Sequence, residues 1–149
     1  MPAGECEAFL RRAEVLRLGL ADDDGPYVVP VNFGYEDGRL YVHGPLEGRR
    51  IDAVRANPRV CFEADEGEIV RSDRACGFTS RFASVVGYGT ARLADTLEAK
   101  RHGLAVIMRH YGGPEDGMPD ETLAKTSVIE IEIETMDGKR YLPAAEEGA

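Results

Sequence analysis

Residues 27–62 read YVVPVNFGYEDGRLYVHGPLEGRRIDAVRANPRVCF. Tyr27–Tyr35 is an apolar run with strand composition, and Glu36-Asp37-Gly38 turns it into a second run, Arg39–His43. An Asp-Gly pair between two such runs is a hairpin signal. Gly44–Gly48 is a loop, after which Arg49 and Arg50 open a short helix with Ile51, Val54 and Arg55 facing inward. Asn57-Pro58 ends the helix, because a proline disfavours the helical region for the residue before it. Arg59–Ala64 is the third strand, and its Cys61, inside the run Val-Cys-Phe, reads as a plain core residue. Two arginines in the first turn oppose the helix dipole unless an anion is present. Free N–H groups at a helix start favour that anion, so the pattern points to a phosphate-bearing ligand on this hairpin and helix.

Outward from this stretch, residues 5–18 place Phe9, Leu10, Ala13, Leu16 and Leu18 near one helical face. A short apolar piece, Leu18–Ala21, leads into the turn ADDDGP. Pro30 cannot donate to a ladder, so it marks an edge, a bulge, or a place where something other than a strand is the neighbour. Residues 65–82 are polar and read as an irregular excursion over the surface or toward a partner subunit. Phe82–Leu93 is a strand in which Gly87 and Gly89 share one face, a sign of a bulge or of close approach by a ligand or backbone. Asp95 or Thr96 caps a helix to about Tyr111, with Leu97, Leu104, Ile107 and Met108 as its apolar positions. Residues 120–125 add a helical turn. Ser127–Thr135 alternates isoleucine with glutamate, the pattern of a half-exposed antiparallel strand. About six strands, without βαβ alternation, predict one mainly β domain, an antiparallel barrel or sheet with helices packed outside. The tail after Tyr141 reads as frayed and flexible, over residues 142–149.

Composition narrows the function. Eighteen basic and 27 acidic residues among 149 give a net charge of -9, which argues against nucleic-acid binding. No apolar run is long enough to span a membrane, and the acidic N-terminus MPAGECEAF is unlike a signal peptide. The expectation is a cytoplasmic protein. Cys6, Cys61 and Cys76 are odd in number and lack CxxC spacing, and His102 and His110 have no third ligand nearby, so no metal site is expected. There is no GxGxxG, P-loop or GxSxG.

The quoted stretch also carries motifs in a fixed order. These are Pro-x-x-x-Pro-Val-x-Phe at 26–33, Tyr-x-His-Gly at 41–44, Gly-Arg-Arg at 48–50, and Asn-Pro-Arg-Val-Cys-Phe at 57–62. Ser-Val-Val follows at 84–86. This series resembles the FMN-binding split-barrel superfamily typified by pyridoxamine 5'-phosphate oxidases, most closely its nitroimidazole-resistance (Nim-type) branch. The resemblance implies a six-stranded antiparallel split β-barrel and a homodimer with flavin in clefts at the subunit interface. By position, Tyr27, Val28, Val29, Pro30, Val31 and Asn32 would line the isoalloxazine. Val42 and His43 would lie beside the ring or ribityl chain, Arg49 and Arg50 would hold the phosphate, and Ser84 would contact the cofactor.

The oxidase pattern has arginine at the position of Tyr27, lysine at that of Asn32, and Arg-Lys where this chain has Arg-Arg. Losing the first two argues against pyridoxamine phosphate oxidation. What remains is an FMN-dependent oxidoreductase acting on a small electron-poor molecule, with His43 as the candidate proton-handling residue, since imidazole titrates near neutrality. Two alternatives stay open: a non-catalytic flavin or haem carrier, and a deazaflavin-dependent reductase. Ser84 lacks the partners of a nucleophile, and Lys139 is an exposed residue that would reach a cleft from the last strand.

Overall fold

The strand expected from Tyr27 to Tyr35 is cut in two at Asn32, and that break organises the molecule. In the computed structural model, which describes residues 1–143, the chain begins α1 (Ala3–Arg12), β1 (Leu16–Asp22), β2 (Gly25–Val31), β3 (Phe33–Glu36) and β4 (Arg39–Pro45). It continues α2 (Arg49–Ala56), β5 (Arg59–Val70), β6 (Thr79–Leu93), α3 (Leu97–His110), α4 (Asp120–Ala124) and β7 (Thr126–Tyr141). The strands form one antiparallel sheet in the order β2-β1-β5-β6-β7-β4-β3. Its two edge strands, β2 and β3, are therefore consecutive in the chain, with only Asn32 between them. The sheet must curl until its ends meet, and no ladder joins β2 to β3 among the described residues. The result is a split barrel of seven strands, not six, because the chain crosses the seam at Asn32. Pro30 fits here: β2 is an edge, where a missing donor costs no ladder bond.

Local chemistry explains the closure. Asp37 and Gly38 take positive φ, 46° and 78°, as a two-residue primed hairpin turn requires, and set Phe33 opposite Val42. The barrel interior is filled by Leu16, Leu18, Phe33, Leu40, Val42, Phe62, Ile129 and Ile131, all fully buried, with Phe9 and Leu10 of α1 and Ile51 of α2 packed against them. Each such side chain contributes about 1.5–3 kcal/mol of burial. A second cluster lies outside the barrel, where Leu104, Val106 and Ile107 of α3 cover Tyr41 and Val128. The Thr96 hydroxyl accepts the Ala99 N–H at 3.1 Å and caps α3.

Four expectations are corrected. α1 stops at Arg12, because Leu16, Leu18 and Leu20 are buried at period two, with Arg17 exposed between the first pair, and so form β1. Residues 65–82 are largely regular: β5 and β6 stay paired out to Val70 opposite Thr79. A solvated two-stranded arm needs no apolar alternation, which is why its polar sequence looked like a loop. Cys61 is only half-buried and faces outward, while its neighbours Val60 and Phe62 fill the core. Arg55 and Leu97 are exposed, and Ala53 joins Ile51 and Val54 on the buried face of α2. At Gly87 and Gly89, the close approach comes from within the chain: a Cβ would collide with the Phe62 ring and with the Glu132 carbonyl. The ladder shifts register between Tyr88 and Gly89. No helix among the described residues is long and apolar enough to cross a membrane. Of the tail expected to be frayed, residues 144–149 lie outside the described residues.

Candidate functional site

Gly48 has φ 135° and precedes Arg49 without any side-chain cap. The first N–H groups of α2 therefore point out of the helix without helical acceptors. In front of them is a hollow of about 260 Å³ lined by Tyr27, Val29, Pro45, Glu47, Gly48, Arg49, Arg50 and Ile51. It straddles the seam, with β2 on one side, β4 and its loop on the other, and α2 as the floor.

The two arginines are held differently. Arg49 is pinned side-on by Asp22, with Nε donating to Oδ2 at 2.8 Å and Nη2 to Oδ1 at 3.1 Å. Its guanidinium lies over the Tyr27 ring, 4.0 Å from the centroid. This geometry leaves the end-on fork, Nη1–H and Nη2–H, free for a second bidentate acceptor. The pairing draws the Asp22 carboxyl below its ordinary pKa, chiefly through the Arg49 hydrogen bonds. Arg50 crosses to β4, where its Nη2 donates to the His43 carbonyl at 3.1 Å. Gly44 permits this crossing, since a Cβ there would collide with Arg50 Nη2.

Two polar atoms in this cluster are buried without a partner among the described residues, Arg50 Nε and the Tyr27 hydroxyl. Burial raises the Tyr27 pKa, so the phenol stays protonated and keeps its donor. Buried donors are rarely left unsatisfied. Two orphans beside a helix N-terminus and a free guanidinium fork match what a phosphate monoester accepts. The hollow fits a phosphate.

His43 carries its side chain on the exposed face of β4. Partial desolvation, and then the positive charge of Arg50, lower its pKa. Both effects favour the neutral ring over the charged one, which suits accepting or orienting a proton. Its ring remains open to solvent.

The remaining residues divide by face. Tyr27 and Val29 border the hollow and Val31 is buried, whereas Val28, Pro30 and Asn32 point outward. Val42 is fully enclosed in the barrel core and laddered between Phe33 and Ile129, so its side chain does not reach the hollow. Ser84 sits opposite Asp65 and Lys139, three strands from β2 in the sheet order, and one protomer does not bring it to the hollow. His102 binds the Glu36 carboxylate at 2.7 Å and His110 the Ala13 carbonyl at 2.6 Å. Sequence reasoning missed Asp22, which appeared only as part of a turn, and Tyr111. Both act through the closure of the barrel, which no local pattern announces. Larger hollows lie near the β5–β6 arm, one of about 380 Å³. Their arginines are already paired, Arg12 with Glu66, Arg81 with Glu68 and Arg140 with Glu5, so the unsatisfied donors single out the seam.

The outer face of the sheet has one further feature. Val28 lies opposite Gly19, Gly19 opposite Cys61, and Cys61 opposite Tyr88. These four form a single row across four strands, bordering a mostly apolar hollow of about 350 Å³. Val28 is 67% exposed and Tyr88 46%.

A family model described as pyridoxamine 5'-phosphate oxidase matches residues 2–140. The chain is 30% identical over 82 residues to an uncharacterised protein of Rhizobium meliloti (strain 1021), a match covering 55% of this chain and 54% of that protein. It thus spans about half that relative's length. Among solved structures, a Bacteroides thetaiotaomicron VPI-5482 protein named for 5-nitroimidazole antibiotic resistance is 31% identical, with TM-score 0.82, over 91% of this chain and 82% of that one. A FAD-binding protein from Mesorhizobium loti is 30% identical with TM-score 0.70, over 95% and 96% of the two chains.

Proposed function

Because the chain belongs to the pyridoxamine 5'-phosphate oxidase family, its model matching residues 2–140, we propose that it is a flavoprotein binding FMN at the barrel seam. We assign it to the Nim-type branch, acting as an oxidoreductase on a small electron-poor molecule such as a nitroimidazole. The observation carrying this reading is the pair of orphaned donors, Arg50 Nε and the Tyr27 hydroxyl, beside the free fork of Arg49. The likeness to the Bacteroides protein supports the branch. Tyr27 and Asn32, in place of the basic residues of the oxidases, argue against pyridoxamine phosphate as substrate.

The bound flavin would supply hydride or electron transfer, chemistry no side chain here performs. Arg49, Arg50 and the α2 N-terminus hold the phosphate. Tyr27 donates its buried hydroxyl to the same group, and Val29 walls the cleft. The outward residues Val28, Pro30 and Asn32, with the backbone around Val31 and Val42, border the ring. His43, its pKa lowered by partial desolvation and then by Arg50, accepts or orients a proton at its exposed imidazole.

The protein works as a homodimer. The row Val28–Gly19–Cys61–Tyr88 supports this, as an apolar band flanked by the charged outer residues Arg17, Glu63 and Asp65. A two-fold interface is self-complementary, and a second protomer can bring Ser84 to a cleft that its own protomer does not reach. The three cysteines are free, Cys76 of them exposed, which suits a reducing cytoplasm.

The test is the visible spectrum of the purified protein with added FMN. A flavin band bleached by dithionite is the expected result, and a colourless protein that takes up no FMN would refute the assignment. A Soret band would identify haem instead, and uptake of a deazaflavin in preference to FMN the third alternative. NAD(P)H-dependent reduction of a nitroimidazole then separates enzyme from carrier.

A further inference from the structure

The proposed site is split between two elements that no ladder connects. β2 supplies Tyr27 and Val29 to the hollow, β4 supplies Pro45 and the His43 carbonyl that holds Arg50, and the two strands lie at opposite ends of the sheet order but for β3. Along the chain, the β2 half and the β3–β4 half meet only at Asn32.

At this junction lies the hydroxyl of Tyr111, which follows the last residue of α3. It donates to the Glu14 carbonyl at 2.6 Å and accepts the Phe33 N–H at 3.1 Å. Asn32 Nδ2 lies 3.4 Å away as a second donor. One hydrogen and two lone pairs are the full capacity of a phenol, and all three are used. His110 reinforces the joint, with Nε2 at 2.6 Å from the Ala13 carbonyl and its ring 4.5 Å from Phe33. One hydroxyl therefore ties the α1–β1 joint, the β2–β3 joint and the end of α3.

We propose that Tyr111 is a positioning residue: its hydroxyl latches the barrel seam at Asn32 and Phe33 and so fixes how far β2 stands from β4 across the flavin cleft. The proposal rests on the flavin reading and goes beyond it, because Tyr111 lines no part of the hollow. The latch holds the separation on which both cleft walls depend, so its loss should weaken the hold on the ring itself, with or without a phosphate. The phosphate seat, in contrast, discriminates FMN from riboflavin.

The experiment measures dissociation constants for FMN and riboflavin by flavin fluorescence in the full chain, for the wild type, Tyr111→Phe, Arg50→Ala and Arg101→Ala. Arg101→Ala removes the ties of α3 to Met118 and Asp120 away from the seam and controls for general loosening of the helix. Tyr111→Phe should weaken both ligands by about threefold or more and alter the spectrum of the bound flavin, since the ring loses its fixed walls. Arg50→Ala should weaken FMN alone, and Arg101→Ala neither. Unchanged binding by Tyr111→Phe, loss of FMN with riboflavin unaffected, or an equal loss in Arg101→Ala would each overturn the latch while leaving flavin binding intact. A wild type that binds neither ligand would overturn the flavin reading and the latch together. Should Tyr111→Phe fail to fold, hydrogen exchange on the wild type decides. Saturating FMN should slow the Phe33 amide more than the Ala99 amide at the far end of α3, and equal slowing would overturn the proposal.

Discussion

Arg50 Nη2 donates to the His43 carbonyl at 3.1 Å and so bridges α2 to β4 across the barrel seam. Arg49, one residue earlier, is instead committed to Asp22 on β1. The two arginines that look equivalent in the sequence therefore differ in charge balance: Arg49 arrives with its counter-ion, and Arg50 with none among the described residues.

This asymmetry predicts unequal losses. Arg50→Ala removes an uncompensated charge and a buried donor, and should weaken FMN binding at least tenfold, about 1.4 kcal/mol. Arg49→Ala should cost less, because Asp22 already offsets most of its charge. Titrations of both variants with FMN and riboflavin check this, and a larger loss for Arg49→Ala would assign the phosphate to the wrong arginine.

Gly44 gives the steric counterpart. A methyl group at this position would collide with Arg50 Nη2, so Gly44→Ala should displace the guanidinium from the His43 carbonyl. Overpacking of this kind costs about 1–3 kcal/mol, but the Arg50 side chain is long and can swing away. The expected outcome is a small drop in melting temperature with a clear loss of FMN affinity. A variant that binds FMN like the wild type would show that the Arg50–His43 bond is not needed for the site.

Much of this arrangement was legible beforehand. The Asp37-Gly38 turn, the Arg-Arg helix start and Pro30 at an edge each follow from a local rule with one physical cause. The barrel itself was expected from the resemblance; what escaped was where it splits. Asn32 is an ordinary polar residue in an apolar run, and nothing local says that the chain changes sheet edges there. The same blindness hid Asp22, whose partner is 27 residues away, and Tyr111, which meets Phe33 across 78 residues. The Leu16–Leu20 segment was lost for another reason: Leu16 and Phe9 also satisfy helical spacing, and only the sheet decides between the periods.

Glu36 makes stability depend on pH. Its carboxylate accepts Arg109 Nη1 at 2.8 Å and His102 Nε2 at 2.7 Å, and these partners, Arg109 foremost, lower its pKa from 4.5. The unfolded chain then binds the proton more tightly than the folded one, so the stabilisation is present above pH 4.5 and is lost as pH falls through the lowered value. Asp22 and Glu134 shift the same way through Arg49 and through Thr90 with Arg59. Burial raises Glu63, whose contribution is instead lost as pH rises. The urea midpoint should fall between about pH 5 and 3, and Glu36→Gln should flatten that fall. An identical slope in the variant would remove Glu36 from the account.

The outer row Val28–Gly19–Cys61–Tyr88 is the test of assembly. Gly19 adds no side chain, so Val28 and Tyr88 stand above a flat strip on which a two-fold copy can lie. A carboxylate placed there would be desolvated on association, and each copy would bring the same charge to the same patch. Tyr88→Glu and Val28→Asp change exposed side chains and should leave the fold intact, with a circular dichroism spectrum like that of the wild type. Both should shift the protein from dimer to monomer in light scattering and weaken FMN binding together, because half of each cleft departs with the partner. Arg92→Glu, on β6 beyond the row and exposed, should do neither. A wild type that is monomeric while binding one FMN per chain would refute the shared cleft, and the apolar row would then have to face another partner.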